Sequence, residues 1–390
     1  MTVSLNHLSD LVRKRVAVAA YYFVPGVVFA SWASRIPDVK QMLNLSNGQL
    51  GTVLFAIPIG QLLMMAFSGV LVSKFGSRKM ILFAEVLYAF VLFCIGSSST
   101  VFQLILSLVA FGMMANLMNI ATNTQACLVE KMYGRNIMSS FHGLWSLGGF
   151  SGGIIGAVFA NTLLPIEAHF GAVLVMSLLI IAFGFRYLVD DATAKAEEED
   201  VPKFSFKTID PILFLLGLMG FAGMFCEGTV YDWSGVYFSS VVKPDKAFIR
   251  AGYVAGMGAM TLGRFLADGF VTKYGPARVL KVCGGLILGG LWLAAALPYL
   301  IPATLGFLLV GFGISSSVPI CYSIAGKLGT IKASIAITIV SSISFFGFLV
   351  GPPVIGWLAE ATGLRIAISI AACLGLMIAF VAAKVGKRIS

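Results

Sequence analysis

The chain has 390 residues, of which 58% are hydrophobic and only 11% charged, with a mean hydropathy of +0.95. A soluble domain carries about 25% charged residues, so this composition excludes a water-soluble enzyme and points to a polytopic membrane protein. The net charge of +10 sits in short groups between long apolar runs. It reads as a topology signal, not as a nucleic-acid surface.

Twelve helical spans are predicted, at residues 16–38, 46–73, 79–97, 101–127, 137–160, 169–189, 211–239, 247–271, 279–299, 303–326, 331–358 and 364–384. Residues 86–129 and 282–326 contain no Asp, Glu, Lys or Arg. Each run is about twice the ~20 residues that one membrane helix needs. Each is therefore two spans joined by an uncharged turn, Ser97 to Thr100 in one and Pro298 to Pro302 in the other. The runs are continuous and do not alternate, which argues against a β-barrel. Arg13-Lys14-Arg15 leads directly into the first span, so no cleavable signal is expected. With the N-terminus inside, 21 of the 27 Lys and Arg fall on one side, and both termini are predicted to be cytoplasmic.

Residues 190–210 are polar and acidic. They are read as a cytoplasmic linker between an N-terminal six-helix bundle, 1–189, and a C-terminal one, 211–390. The six Cys (94, 127, 226, 283, 321 and 373) lack ligand or disulfide spacing and are read as small core residues. No metal or cofactor is expected.

The halves repeat. Lys74 and Lys273 are 199 residues apart, as are Gly76 and Gly275; Trp32 and Trp233 are 201 apart, and Gly156 and Gly356 are 200 apart. The first basic turn, Gly69, Lys74, Gly76, Arg78 and Lys79, resembles the loop signature of the major facilitator superfamily, with Ser73 where that family has Asp. The second turn keeps Lys273 and Gly275, with Asp268 at the first Gly position. The resemblance implies an all-α membrane fold of twelve transmembrane helices in two six-helix pseudo-repeats, with spans 1, 4, 7 and 10 lining a cavity. Both turns are then candidates for a cytoplasmic gating loop. Gly347, Gly351, Pro352, Pro353 and Gly356 in span 11 are read as a packing and bending element.

Ionisable groups at membrane depth are costly and tend to face a cavity. Glu227 is about 16 residues into span 7, or ~24 Å along the axis, and Asp232 follows it. Both are candidates for proton coupling, against the reading of a static ion pair. His142 is a third candidate, because His titrates near neutral pH; a structural contact with Asn123 is the alternative. Asn116, Asn119 and Asn123 share one face of span 4. They offer amide donors and acceptors to a polar solute, or they are interhelical glue. Trp32, Trp145 and Trp233 could stack on a solute or only pack. Arg35 could reach Asp232 as an outer gate, or pair locally with Asp38.

No Walker phosphate loop, Gly-x-Ser-x-Gly elbow, His-Glu-x-x-His or Cys-x-x-Cys is present, so neither an ATP-driven pump nor an enzyme is expected. Ser31–Arg35, the span 4 amides and His142–Ser146 resemble a branch of bacterial inner-membrane permeases distantly related to fucose permease. That implies a monomeric secondary transporter, symporter or antiporter, moving a small polar, sugar-like solute by alternating access with protons. A drug or metabolite exporter is the alternative, and a non-transporting sensor the third reading.

Overall fold

The computed structural model describes residues 5–134, 137–162, 164–191, 210–328 and 333–389. The predicted linker, apart from its ends, and the side chain of Asp268 lie outside the described residues. All regular structure among those residues is helical. The elements are α1 (Leu5–Met42), α2 (Asn47–Leu54), α3 (Ala56–Phe75), α4 (Ser77–Gly96), α5 (Val101–Tyr133), α6 (Met138–Ala160), α7 (Ile166–Phe185), α8 (Pro211–Tyr237), α9 (Ala251–Tyr274), α10 (Pro276–Ala296), α11 (Leu300–Lys327), α12 (Ala333–Thr362) and α13 (Leu364–Ile389).

Among the described residues, eleven stretches are long and apolar enough to cross a membrane. One of them, Asn47–Phe75, comprises α2 and α3 together, so the predicted second span is broken at Phe55. The cause is local: Pro58 has no N–H to bond the carbonyl of Leu54. The twelfth span is α9, which has the length but carries Arg264, Asp268 and Lys273. Large apolar side chains such as Phe102, Phe183 and Phe380 are exposed, as a lipid solvent allows and water would not.

Helix ends follow their sequence signals. Ser46 and Gln49 form a capping box at α2, and Thr100 caps α5 through the Gln103 amide. Span 10 begins at Leu300, not 303, with Pro302 in its first turn, where the missing N–H costs nothing. Span 1 is longer than predicted, because Arg13, Lys14 and Arg15 continue the helix, Lys14 pairing with Asp10 one turn back at 2.5 Å.

The two basic turns are each a single residue, Gly76 between α3 and α4 and Gly275 between α9 and α10. Both have positive φ, 82° and 79°, with ψ of 146° and 154°. Only glycine reaches that region without strain. Each donates its N–H to the carbonyl four residues back, Val72 and Val271, at 2.9 Å. The repeat seen in sequence is thus a repeated backbone geometry.

The chain packs as two compact units, Met1–Arg35 with Ala56–Glu199, and Ile36–Phe55 with Asp200–Ser390. Inside each, glycines bring helix backbones together. A Cβ on Gly112 of α5 would collide with the Ile57 carbonyl of α3, and one on Gly311 of α11, 199 positions later, with the Gly256 carbonyl of α9. Such close crossings replace the hydrophobic drive that lipid removes. Three of the six cysteines, Cys226, Cys283 and Cys321, are buried as expected, whereas Cys127 and Cys373 are exposed.

Gly76→Ala and Gly275→Ala should each lower stability by about 1–3 kcal/mol through backbone strain, read as thermal unfolding in detergent. Gly69→Ala, where an added Cβ meets nothing within 4 Å, should leave it unchanged.

Candidate solute and proton site

The second unit pairs a buried carboxylate with a guanidinium. Glu227 is 8% exposed on α8, and its Oε1 accepts from Tyr231 Oη at 2.8 Å and from Arg264 Nη2 of α9 at 3.2 Å. The carboxylate is therefore paired, although no Lys or Arg lies within seven positions of it in the sequence. Its cation comes from the adjacent helix, and its phenol from one turn further along α8. This satisfies the rule that charges at membrane depth are paired. Removing the proton acceptor or the cation would leave the other group buried without its partner.

Asp232, five residues on, is also buried, and no hydrogen bond reaches its carboxylate among the described residues. Trp233 is fully buried, its indole N–H without an acceptor among the described residues. Tyr253 of α9 packs its ring 6.4 Å from that of Tyr231. From Cys226 through Phe238 every residue of this stretch is buried, so the middle of α8 is enclosed.

The C-terminal end of the same helix meets the segment Ile36–Phe55. A Cβ on Gly235 would lie 2.9 Å from Pro37 Cγ. Asp38 forms an ion pair with the buried Arg250 at the start of α9. The Gly48 amide donates to Glu360 Oε2 of α12 at 3.1 Å, and Trp357 Nε1 donates to Thr52 Oγ1 at 3.3 Å. Gly51 faces Pro352 and Gly356 so closely that a Cβ would lie 2.8 Å from the Pro352 carbonyl oxygen. The Gly and Pro of span 11 thus form a seat for this segment, a role that sequence alone assigned only to packing and bending.

In the first unit the span 4 amides divide. Asn116 Oδ1 accepts from Ser68 Oγ of α3 at 2.7 Å. Asn123 accepts from Tyr22 Oη of α1 at 2.7 Å and donates to Asn119 Oδ1 at 3.0 Å. Asn119 itself is exposed, so of the three it alone turns its amide outward. Two of the stripe are interhelical glue. His142 is exposed and lies edge-on to Tyr22, ring centroids 5.3 Å apart. Tyr22, unremarked in sequence, links the Asn123 and His142 that were expected at one depth. Trp145 sits tilted to Phe29 at 6.3 Å, and Trp32 is fully buried.

Arg35 is buried and its Nε donates to His169 Nδ1 of α7 at 3.2 Å. His169, a lone polar residue in an apolar span, was missed for that reason. Glu85 on α4 is also buried, with neither oxygen hydrogen-bonded among the described residues.

The basic turn finds its partners at the end of span 6. Arg78 pairs with Asp190 at 3.5 Å, donates to the Phe185 carbonyl at 3.4 Å and stacks over the Phe185 ring at 4.7 Å. Asp191 caps α4 through Ser77 N and Oγ, at 3.0 and 2.6 Å. Gln125 donates to Ser77 Oγ and the Val189 carbonyl, both at 2.8 Å, and accepts from Val189 N at 2.9 Å. Lys74 lies over the Phe75 ring and Lys273 over that of Tyr274.

Arg264→Ala should cost about 3 kcal/mol of stability, because it strands the Glu227 carboxylate. The double variant with Glu227→Ala should recover part of that loss, which a double-mutant cycle of unfolding midpoints would read.

A sequence profile of the Major Facilitator Superfamily matches residues 17–333. An uncharacterized MFS-type transporter of Yersinia pestis is 32% identical over 376 residues, covering 95% of each chain. Among solved structures, the nucleoside transporter NupG superposes with a TM-score of 0.75 at 15% identity, over 96% of this chain and 99% of that one. A D-xylose-proton symporter gives 0.74 at 15% identity, over 95% and 96%. The helical architecture, the paired single-glycine turns and the profile agree: the chain is a multi-pass membrane transporter, not an enzyme, and belongs to the major facilitator superfamily.

Proposed function

We propose that the chain is a secondary transporter that moves a small polar, hydroxyl-bearing solute together with protons by alternating access. The observation that carries this reading is Glu227, a buried carboxylate held by both Arg264 and Tyr231. Protonation of Glu227 removes one charge of the pair and weakens its hold on Arg264. That change occurs on the helix whose far end supports Pro37, so the acid and the seated segment share one rigid element. In the cycle we propose, Ile36–Phe55 alternates between seated and released, with Asp38–Arg250 and Gly48–Glu360 breaking on release. A state-specific contact biases such an equilibrium only by its differential energy, which these pairs supply.

Asn119 is the first-choice solute contact, since it is the exposed member of the stripe and only its Oδ1 is taken, by Asn123. Two structural neighbours, a nucleoside transporter and a D-xylose-proton symporter, fit a solute of this chemistry. The charge distribution and the bacterial relative support placement in an inner membrane with both termini cytoplasmic. The same reading has six-helix halves, 1–189 and 211–390, working as a monomer.

Glu227→Gln should abolish proton-driven accumulation in proteoliposomes yet retain solute counterflow, because it keeps the site and removes the titrating group. Accumulation equal to the parent would make Glu227 structural. Asn119→Ala should weaken solute binding by about 1–3 kcal/mol through an unpaired partner with little change in unfolding temperature. The solute itself is found by a thermal-shift screen of nucleosides, sugars and lipophilic cations; stabilisation by the cations alone would replace this reading with that of an exporter.

A further inference from the structure

We propose that the groove between the N-terminal end of α1 and the C-terminal end of α7 is a binding site for an anionic phospholipid. The groove encloses about 430 Å³. Its walls are Val12, Val16, Ala20, Leu179, Ile180 and Phe183, and Val16, Leu179 and Phe183 are among the most exposed apolar side chains of the unit. Its floor includes Gly184, where a Cβ would lie 2.9 Å from the ring of Tyr21. The absence of a side chain at 184 lets Tyr21 of α1 pack directly against α7 beneath the groove.

One end of this apolar channel is charged. Arg13 and Arg186 both approach the ring of Tyr187, at 6.0 and 4.8 Å from its centroid. Among the described residues neither guanidinium forms an ion pair with a carboxylate: Asp10 takes Lys14, and Asp190 takes Arg78. Two cations thus approach one aromatic ring, at the mouth of a groove suited to an acyl chain. A phosphodiester is the ligand that meets both features at once. Its oxygens match guanidinium donors in a bidentate manner, and its chains fill the groove. Basic clusters at the ends of membrane spans attract anionic lipid in general; here the groove adds a defined seat. A lipid in it would brace α1 against α7 through Tyr21, whose hydroxyl already donates to the Ile181 carbonyl at 2.9 Å.

The test uses the full-length protein, delipidated in detergent. Phosphatidylglycerol, phosphatidylcholine and inorganic phosphate are each titrated while thermal unfolding is followed, and retained lipid is counted by native mass spectrometry. Phosphatidylglycerol should stabilise and be retained, and the other two should not. In Arg13→Gln/Arg186→Gln its affinity should fall roughly tenfold or more, given the contribution of each basic residue near an anionic lipid. Ala20→Phe, which fills the groove and keeps both arginines, should also lose retention. Equal stabilisation by phosphatidylcholine, an effect reproduced by inorganic phosphate, or full retention in both variants would each overturn the proposal.

Discussion

Hydrocarbon offers no water to a buried charge, and the pairing of Glu227 with Arg264 is where this chain meets that constraint most directly. Either charge alone would be costly at membrane depth. Arg264, Asp268 and Lys273 set α9 apart from the eleven apolar stretches, and the cost of Arg264 is offset by the carboxylate one helix away. The same constraint explains the other polar contacts at depth. Arg35 is held by His169, Asn123 by Tyr22 and Asn116 by Ser68. Each pair ties two helices of one unit, so polar side chains fix which helices are neighbours while glycines set how closely they approach.

Most of the fold was legible in the sequence, because lipid imposes a length, a composition and a charge bias that leave a plain trace. The single-glycine turns at 76 and 275 were legible as well, since a positive φ demands the residue that was found. Where the reading failed, the information was not local. Nothing near Glu227 in sequence points to Arg264, 37 residues away. Gln125 lies off the amide stripe of span 4, and it ties Ser77 to the end of span 6. Asp190 and Asp191 were read as part of a solvated linker, yet they hold Arg78 and cap α4. The break at Phe55 reflects Pro58 acting one turn before itself, which hydropathy does not register.

The segment Ile36–Phe55 separates chain order from packing. It connects two helices of the first unit, yet it is packed with the second. The segment is held by the Asp38–Arg250 ion pair, hydrogen bonds to Glu360 and Trp357, glycine contacts and the buried side chains of Ile36, Val39, Leu45, Leu50, Val53 and Leu54; the cycle proposed above releases it as one piece. Its polar contacts break with exposure to water, which compensates them. Its glycine surfaces at Gly51 and Gly356 allow the same fit to re-form. The acid that we assign to proton coupling lies on the helix that carries one side of this seat, so chemistry and movement share an element and need no longer pathway.

The most direct test of that account is the distance between the segment and its seat in a lipid nanodisc. Spin labels at Met42→Cys and Ala361→Cys, in a background without the six native cysteines, report it by pulsed electron resonance. The account predicts two distance populations, with the longer one enriched when Asp38→Asn removes the pair with Arg250. A single short distance, unchanged by that substitution, would mean that Ile36–Phe55 is a fixed part of the second unit and would contradict the account.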